Sequence, residues 1–89
     1  MAYKLLIADG RQWRKDCGII PKRQLQLILR RIRGLAGDPW TEGVQAKKLQ
    51  HYRVADFRLR VGEYRVLFNK YEDRKEIHLL RILHRSKLY

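Results

Sequence analysis

The sequence predicts an α+β fold in which two N-terminal helices pack on one face of a small twisted antiparallel sheet, in the order β-α-α-β-β-β, as a single domain over residues 1–89. Two patterns carry that expectation. Leu25, Ile28, Leu29, Ile32 and Ala36 recur at helical spacing and form one apolar stripe. Phe57-Arg58-Leu59-Arg60-Val61 and Tyr64-Arg65-Val66-Leu67-Phe68 alternate with a period of two on either side of Gly62-Glu63, the signature of a β-hairpin. A chain of 89 residues supports one modest core and is too short for two.

The elements follow in order. Tyr3, Leu5 and Ile7 alternate with Lys4, Leu6 and Ala8, an opening strand that is apolar on both sides and so partly covered. Asp9 suits the N-cap of a short helix from Gly10 to about Asp16, with Trp13 as its inward anchor. Gly18 breaks that pattern, and Pro21 suits the first position of the longer helix that carries the stripe. Arg23, Arg30, Arg31 and Arg33 lie off the stripe and read as a solvated face. Gly37-Asp38-Pro39 ends the helix, and residues 37–46 form a loop in which Trp40 is either a lid over the core or an exposed contact. Lys47, Lys48 and Leu49 lead towards the hairpin, and Glu72-Asp73-Arg74-Lys75 is a polar turn before a last strand at about 76–83 and a short tail.

Lys and Arg number 21 against 9 acids, a formal charge of +12. The excess is spread over the chain: residues 1–45 carry 9 basic and 4 acidic side chains, and residues 46–89 carry 12 and 5. Such a domain favours polyanionic or acidic partners, because each cation that neutralises a phosphate releases a condensed counterion. A hydrophobic fraction of 45% excludes a disordered basic tail, and no apolar run approaches the ~18 residues of a membrane span. The first residues run into a strand without the pattern of an export signal, and Cys17 is the lone cysteine with no Cys/His cluster at ligand spacing. These features point to the cytoplasm, with no metal, no cofactor and no membrane partner.

With Gly62-Glu63 as a type II′ turn, Val61 pairs with Tyr64, Arg60 with Arg65 and Leu59 with Val66. Phe57, Leu59, Val61, Tyr64, Val66 and Phe68 then share one face, and Arg58, Arg60 and Arg65 share the other. Arg60 directly opposite Arg65 destabilises a sheet unless an anion sits between them, which makes the pair a candidate phosphate site. The arginine face, with Leu67, is expected to be open. Arg81 on the last strand joins the cluster if it stands opposite Arg65, and leaves it for the helix side if it stands opposite Val66; charge argues for the first register.

The order of elements, Val44-Gln45-Ala46-Lys47-Lys48-Leu49, the two hairpin strands and the ending Leu80-Arg81-Ile82-Leu83-His84-Arg85-Ser86-Lys87-Leu88-Tyr89 together resemble the RelE family of the RelE/ParE toxin superfamily. The resemblance covers essentially the whole chain. It implies the toxin of a toxin–antitoxin pair, an endoribonuclease that enters the ribosomal A site and cuts mRNA, held inactive in a hetero-oligomer with a cognate acidic antitoxin. On the same resemblance, the basic pair before the hairpin turn matches Arg58 and Arg60, the arginine after the turn Arg65, and the terminal tyrosine Tyr89. The basic or histidine residue before it falls on His84, with Arg85 as the alternative. Lys47, Lys48, Arg81 and Arg85 are the expected RNA-binding side chains. The family often has Lys where this chain has Arg58 and Arg60.

These residue types suit metal-free transesterification. Arg stays charged throughout and pairs two phosphate oxygens at once, so Arg65 and Arg60 fit the developing negative charge, while proton transfer falls to Tyr89 and His84 in either assignment. Arg65 and Tyr89 lie off the inward stripe, so their replacement is expected to spare the fold. Two rival expectations stand beside this one: a ParE-like gyrase inhibitor on the same scaffold, and a non-catalytic basic RNA-binding protein. Tyr52 and Tyr71 are candidates for base stacking, and His51 and His78 carry no assignment.

Overall fold

The structure is a computed structural model that describes residues 3–37, 46–48 and 57–88, the backbone alone for 46–48 and 88. Strand β1 (Lys4–Ile7), helices α1 (Gly10–Gly18) and α2 (Lys22–Leu35), strands β2 (Ala46–Lys48), β3 (Phe57–Val61), β4 (Tyr64–Tyr71) and β5 (Glu76–His84), and the single turn α3 (Arg85–Leu88) follow in chain order. The α+β class and the order of the main elements agree with expectation. Beyond it are the short β2 and the helical turn in place of the tail.

The sheet order is β1-β5-β4-β3-β2. Three of its four pairings are antiparallel, while β1 runs parallel to β5 with Lys4 opposite Glu76 and Ile7 opposite Leu79. Two helices and three further strands separate β1 from β5, ample length for the parallel return. No helix among the described residues is long and apolar enough to cross a membrane.

The Asp9 side chain caps α1, accepting from the Gln12 N–H at 3.2 Å. Pro21 stands one position outside α2, as its N-cap. The α2 stripe buries Ile28, Ile32 and Leu35 against Leu59, Val61, Val66 and Phe68 of the hairpin, with Trp13, Ile77, Leu79 and Ile82 completing the core. Leu35, which is fully buried, takes the final inward place expected of Ala36. At the hairpin turn Gly62 has φ +58°, while Lys75 is the lone non-glycine with positive φ among the described residues. A positive φ at the first central position alone is what a type II′ turn requires.

The far side of the sheet is less open than expected. Leu67 is fully buried and Arg65 is 5% exposed. Both lie on β4 at the middle of the sheet, with strands hydrogen-bonded on either side. Trp40, His51, Tyr52 and Tyr89, together with residues 38–45 of the expected loop at 37–46, lie outside the described residues.

Candidate phosphate-binding site

Register places the hairpin arginines as the alternation requires. Arg60 stands opposite Arg65, and Arg58 stands opposite Leu67. Lys47 of β2 is the partner of Arg58 on its other side. Arg60 is exposed and Arg58 half-buried.

Arg65 differs from expectation. Its buried side chain folds towards the turn, where Nη1 donates to the Gly62 and Tyr64 carbonyls, both at 2.9 Å. The guanidinium therefore braces the backbone of the hairpin, and its replacement is expected to weaken the fold. Its Nε is buried and meets no acceptor among the described residues. A buried N–H without an acceptor is unfavourable by roughly 1–3 kcal/mol, and a cation beside another cation adds to that. An anion beside the exposed Arg60 relieves the repulsion between the two arginines.

The last strand brings other groups towards the same end of the sheet, though not all onto one face. A β-bulge between Leu67 and Phe68 sets Leu79 opposite Phe68 and Arg81 opposite Leu67. Continued without the bulge, the pairing of Phe68 with Leu79 would carry Arg81 to Val66 in the core; the extra residue, Leu80, moves it one place on. Arg81 is thus opposite neither Arg65 nor Val66, and Leu83 is the residue facing Arg65.

Nor is Arg81 disposed towards a substrate. Its Nε and Nη2 lie 2.8 and 3.0 Å from the Asp16 carboxylate, which also accepts from the Ile82 N–H at 3.0 Å and from Gln12 Nε2 at 3.0 Å. Asp16 is 3% exposed. Burial pushes its carboxyl up, but the bonds from Arg81, Ile82 and Gln12 and the Arg81 charge outweigh burial and hold it below the ordinary value. Burial and then the Asp16 charge push the neighbouring Cys17 thiol up, as suits a packing residue. Asp16 escaped sequence reasoning, although it is the one acid between Gly10 and Gly37.

His84 pairs with Tyr64, and the two rings meet edge to face at 5.4 Å. Since Val61 and Tyr64 belong to the core side, His84 lies on that side and Arg65 on the other. Its Nδ1 accepts from the Ser86 N–H at 3.2 Å and lies 2.9 Å from Ser86 Oγ. Arg85 clips the tail to the hairpin tip: its Nε is 2.7 Å from Glu63 Oε2, and its N–H donates to the Glu63 carbonyl at 2.7 Å. Among the expected site residues, then, Arg58, Arg60 and Arg65 share a face, His84 and Arg85 share the hairpin tip, and Arg81 is held by Asp16. Tyr89 and the side chains of Lys47 and Lys48 lie outside the description.

No family model matches this chain, and no curated protein matches it either. Solved structures do. The archaeal RelE–RelB complex from Pyrococcus horikoshii OT3 aligns over 98% of this chain and 99% of its own, at 27% identity and a TM-score of 0.76. The RelB–RelE antitoxin–toxin complex from Methanococcus jannaschii aligns over 94% of both chains at 25% identity and a TM-score of 0.72. The RelBE2 toxin–antitoxin complex from Mycobacterium tuberculosis shares the fold at a TM-score of 0.76 and 22% identity, over 94% of this chain and 99% of its own. Matched end to end in fold by RelE proteins, two of them at a quarter or more identity, the chain has the fold of the RelE toxins and is similar to them along its whole length.

Proposed function

We propose that this RelE-like protein is the toxin of a toxin–antitoxin pair, and that it stops translation by cutting mRNA in the ribosomal A site. The observation that carries the reading is Arg60 opposite Arg65, with Arg58 on the same face of the hairpin. That arrangement favours a bound anion over an empty face. The likeness to toxins solved with antitoxins supports the first half of the proposal.

In the reaction proposed, the RNA 2′-oxygen attacks the adjacent phosphorus, the P–O2′ bond forms and the P–O5′ bond breaks. The products are a 2′,3′-cyclic phosphate and a free 5′-hydroxyl, with no oxidant or co-reactant needed. Arg65 and Arg60 hold the charge that builds on the phosphoryl oxygens, and Arg58 extends the cationic row along the strand. Tyr89 takes the 2′-proton. His84 gives a proton to the departing oxygen, with Arg85 beside it. Ser86 holds His84 at Nδ1, which leaves Nε2 as the nitrogen to face the departing oxygen, and the proton given there is that of the imidazolium. Lys47 and Lys48 extend the path for the RNA, and Arg81 takes no part. The cognate acidic antitoxin holds the toxin inactive.

Mapping mRNA ends on programmed ribosomes tests the reading: cuts at the A-site codon with cyclic phosphate termini are expected, and intact message refutes it. One observation favours a second reading, a ParE-like gyrase inhibitor that cuts nothing. His84 lies on the core side of the sheet, away from the arginines. Trapped gyrase complexes together with intact message would establish that alternative.

A further inference from the structure

At the end of the sheet away from Gly62, four side chains around the β4–β5 turn close a ring that the proposed reaction does not use. The Arg74 guanidinium lies over the Tyr71 ring, 4.6 Å from its centroid. The Tyr71 ring meets that of His78 at 4.6 Å in a tilted contact. His78 Nε2 is 3.1 Å from Glu76 Oε1, and the same oxygen lies 3.5 Å from Arg74 Nε. Strand alternation puts Tyr71 on the face that carries Arg65; Glu76 and His78, paired with Tyr71 and Asn69, share it. Tyr71 stands six positions from Arg65 along β4, about 20 Å of strand. Leu67 between them is fully buried, so the two places are separate anchors on one face rather than a continuous groove.

An exposed ion pair such as Arg74 with Glu76 adds little to stability. Yet Arg74, with 53% of its side chain exposed, is held by an aromatic ring beneath it and a carboxylate at its edge. A long side chain loses rotamer freedom when held so, and a guanidinium ordered in advance spares its ligand that loss. We infer that Arg74, seated on Tyr71, is a stacking platform for one unpaired base of a single-stranded RNA whose phosphate lies at Arg60. Guanidinium planes and aromatic rings are the surfaces on which splayed bases stack. Tyr71, the stacking candidate in the sequence, thus acts from beneath, and Arg74 meets the base. A phosphate would need only the charge of Arg74, not the ring below it or the fixed orientation. None of the exposed large apolar side chains among the described residues lies on β4 or in its turn to β5, so a protein partner finds no apolar anchor there. That the RNA is a message being cut rests on the function proposed above; the base contact does not require cleavage.

The test uses the full chain and a short fluorescent oligoribonucleotide whose 2′-oxygens are methylated, so that binding is read without cleavage. An abasic residue is moved through it one position at a time. With the native chain, the loss of a base at one position should weaken binding by about fivefold or more. Arg74→Lys keeps the charge and removes the plane: the intact oligonucleotide should bind about fivefold more weakly, the abasic effect should vanish, and the salt dependence should stay native. Tyr71→Leu should act alike if it keeps the thermal midpoint, and Arg74→Lys carries the test alone if it does not. Native affinity in folded Arg74→Lys, or an abasic effect that survives there, overturns the inference. So does a lowered thermal midpoint with native affinity, since the ring would then only brace the turn. No abasic effect at any position, with mRNA still cut on ribosomes, removes this platform and leaves the nuclease reading; an abasic effect without cutting does the reverse.

Discussion

Asp16 and Arg81, 65 residues apart, form a two-pronged ion pair that joins α1 to β5 just beyond the end of β1. Strand β1 pairs with β5 only as far as Leu79, and the Ala8 N–H makes the last bond to the Leu79 carbonyl. Among the described residues no strand lies beside that edge of β5 past this point, and the Asp16 carboxylate takes the Ile82 N–H in its place. Asp16→Ala removes the carboxylate that Arg81 and that N–H share. It should destabilise the protein by about 3 kcal/mol, since breaking a buried pair from one side typically costs ~3–5 kcal/mol and Arg81 keeps some access to solvent. In a domain of this size that lowers the thermal midpoint by on the order of 15 °C. Chemical denaturation of Asp16→Ala, Arg81→Met and the double variant checks the pairing: the double should lose less than the sum of the singles.

Arg65 should prove structural as well as functional. Arg65→Ala removes two bonds to the turn carbonyls and should destabilise by about 1–3 kcal/mol. Denaturant midpoints will show whether it does so, and an unchanged midpoint would mean that the brace contributes nothing.

Gly62 holds φ +58° in open space, with no atom within 4 Å of where a Cβ would stand. Gly62→Ala therefore meets a backbone penalty without a clash, about 1–2 kcal/mol. Gly62→Asn should lose less, because Asn is among the few residues besides Gly that such turns accept. A thermal melt of the two variants tests the ordering.

Glu72 gathers Lys70 at 2.8 Å, Lys75 at 3.1 Å and the Tyr3 hydroxyl. The bonds from Lys70, Tyr3 and Lys75 bring its carboxyl down from 4.5 to about 2. A carboxylate whose folded value is depressed stabilises fully above its unfolded value and loses that contribution as pH falls through the folded one. The midpoint difference between the native chain and Glu72→Gln should thus stay constant above pH ~5 and shrink between about 4.5 and 2. A difference that persists at the acid end would contradict this account.

The hairpin was legible in the sequence because strand alternation and a Gly turn fix both faces and register locally: Val61–Tyr64, Arg60–Arg65 and Leu59–Val66 stand as read. The helices were legible for a like reason, down to the Asp9 cap. The place of Arg81 was not. One inserted residue at a bulge exchanges the two faces of a strand, and nothing in the run Leu79-Leu80-Arg81-Ile82 marks where it falls. The parallel pairing of β1, the engagement of Arg81 by Asp16 and the burial of Arg65 are likewise products of tertiary packing between distant segments. His84 was found by resemblance, but its face follows from pairing with Tyr64, which depends on the same bulge.

The claim at the centre of this account is that Arg60 and Arg65 hold the scissile phosphate, and Arg65→Lys tests it most directly by keeping the charge and removing the planar fork. Cleavage of message on programmed ribosomes should fall by roughly 100-fold or more, the usual loss for one transition-state donor, in a variant whose folded fraction at the assay temperature is confirmed independently. Cleavage at the native rate by that folded variant would contradict the claim.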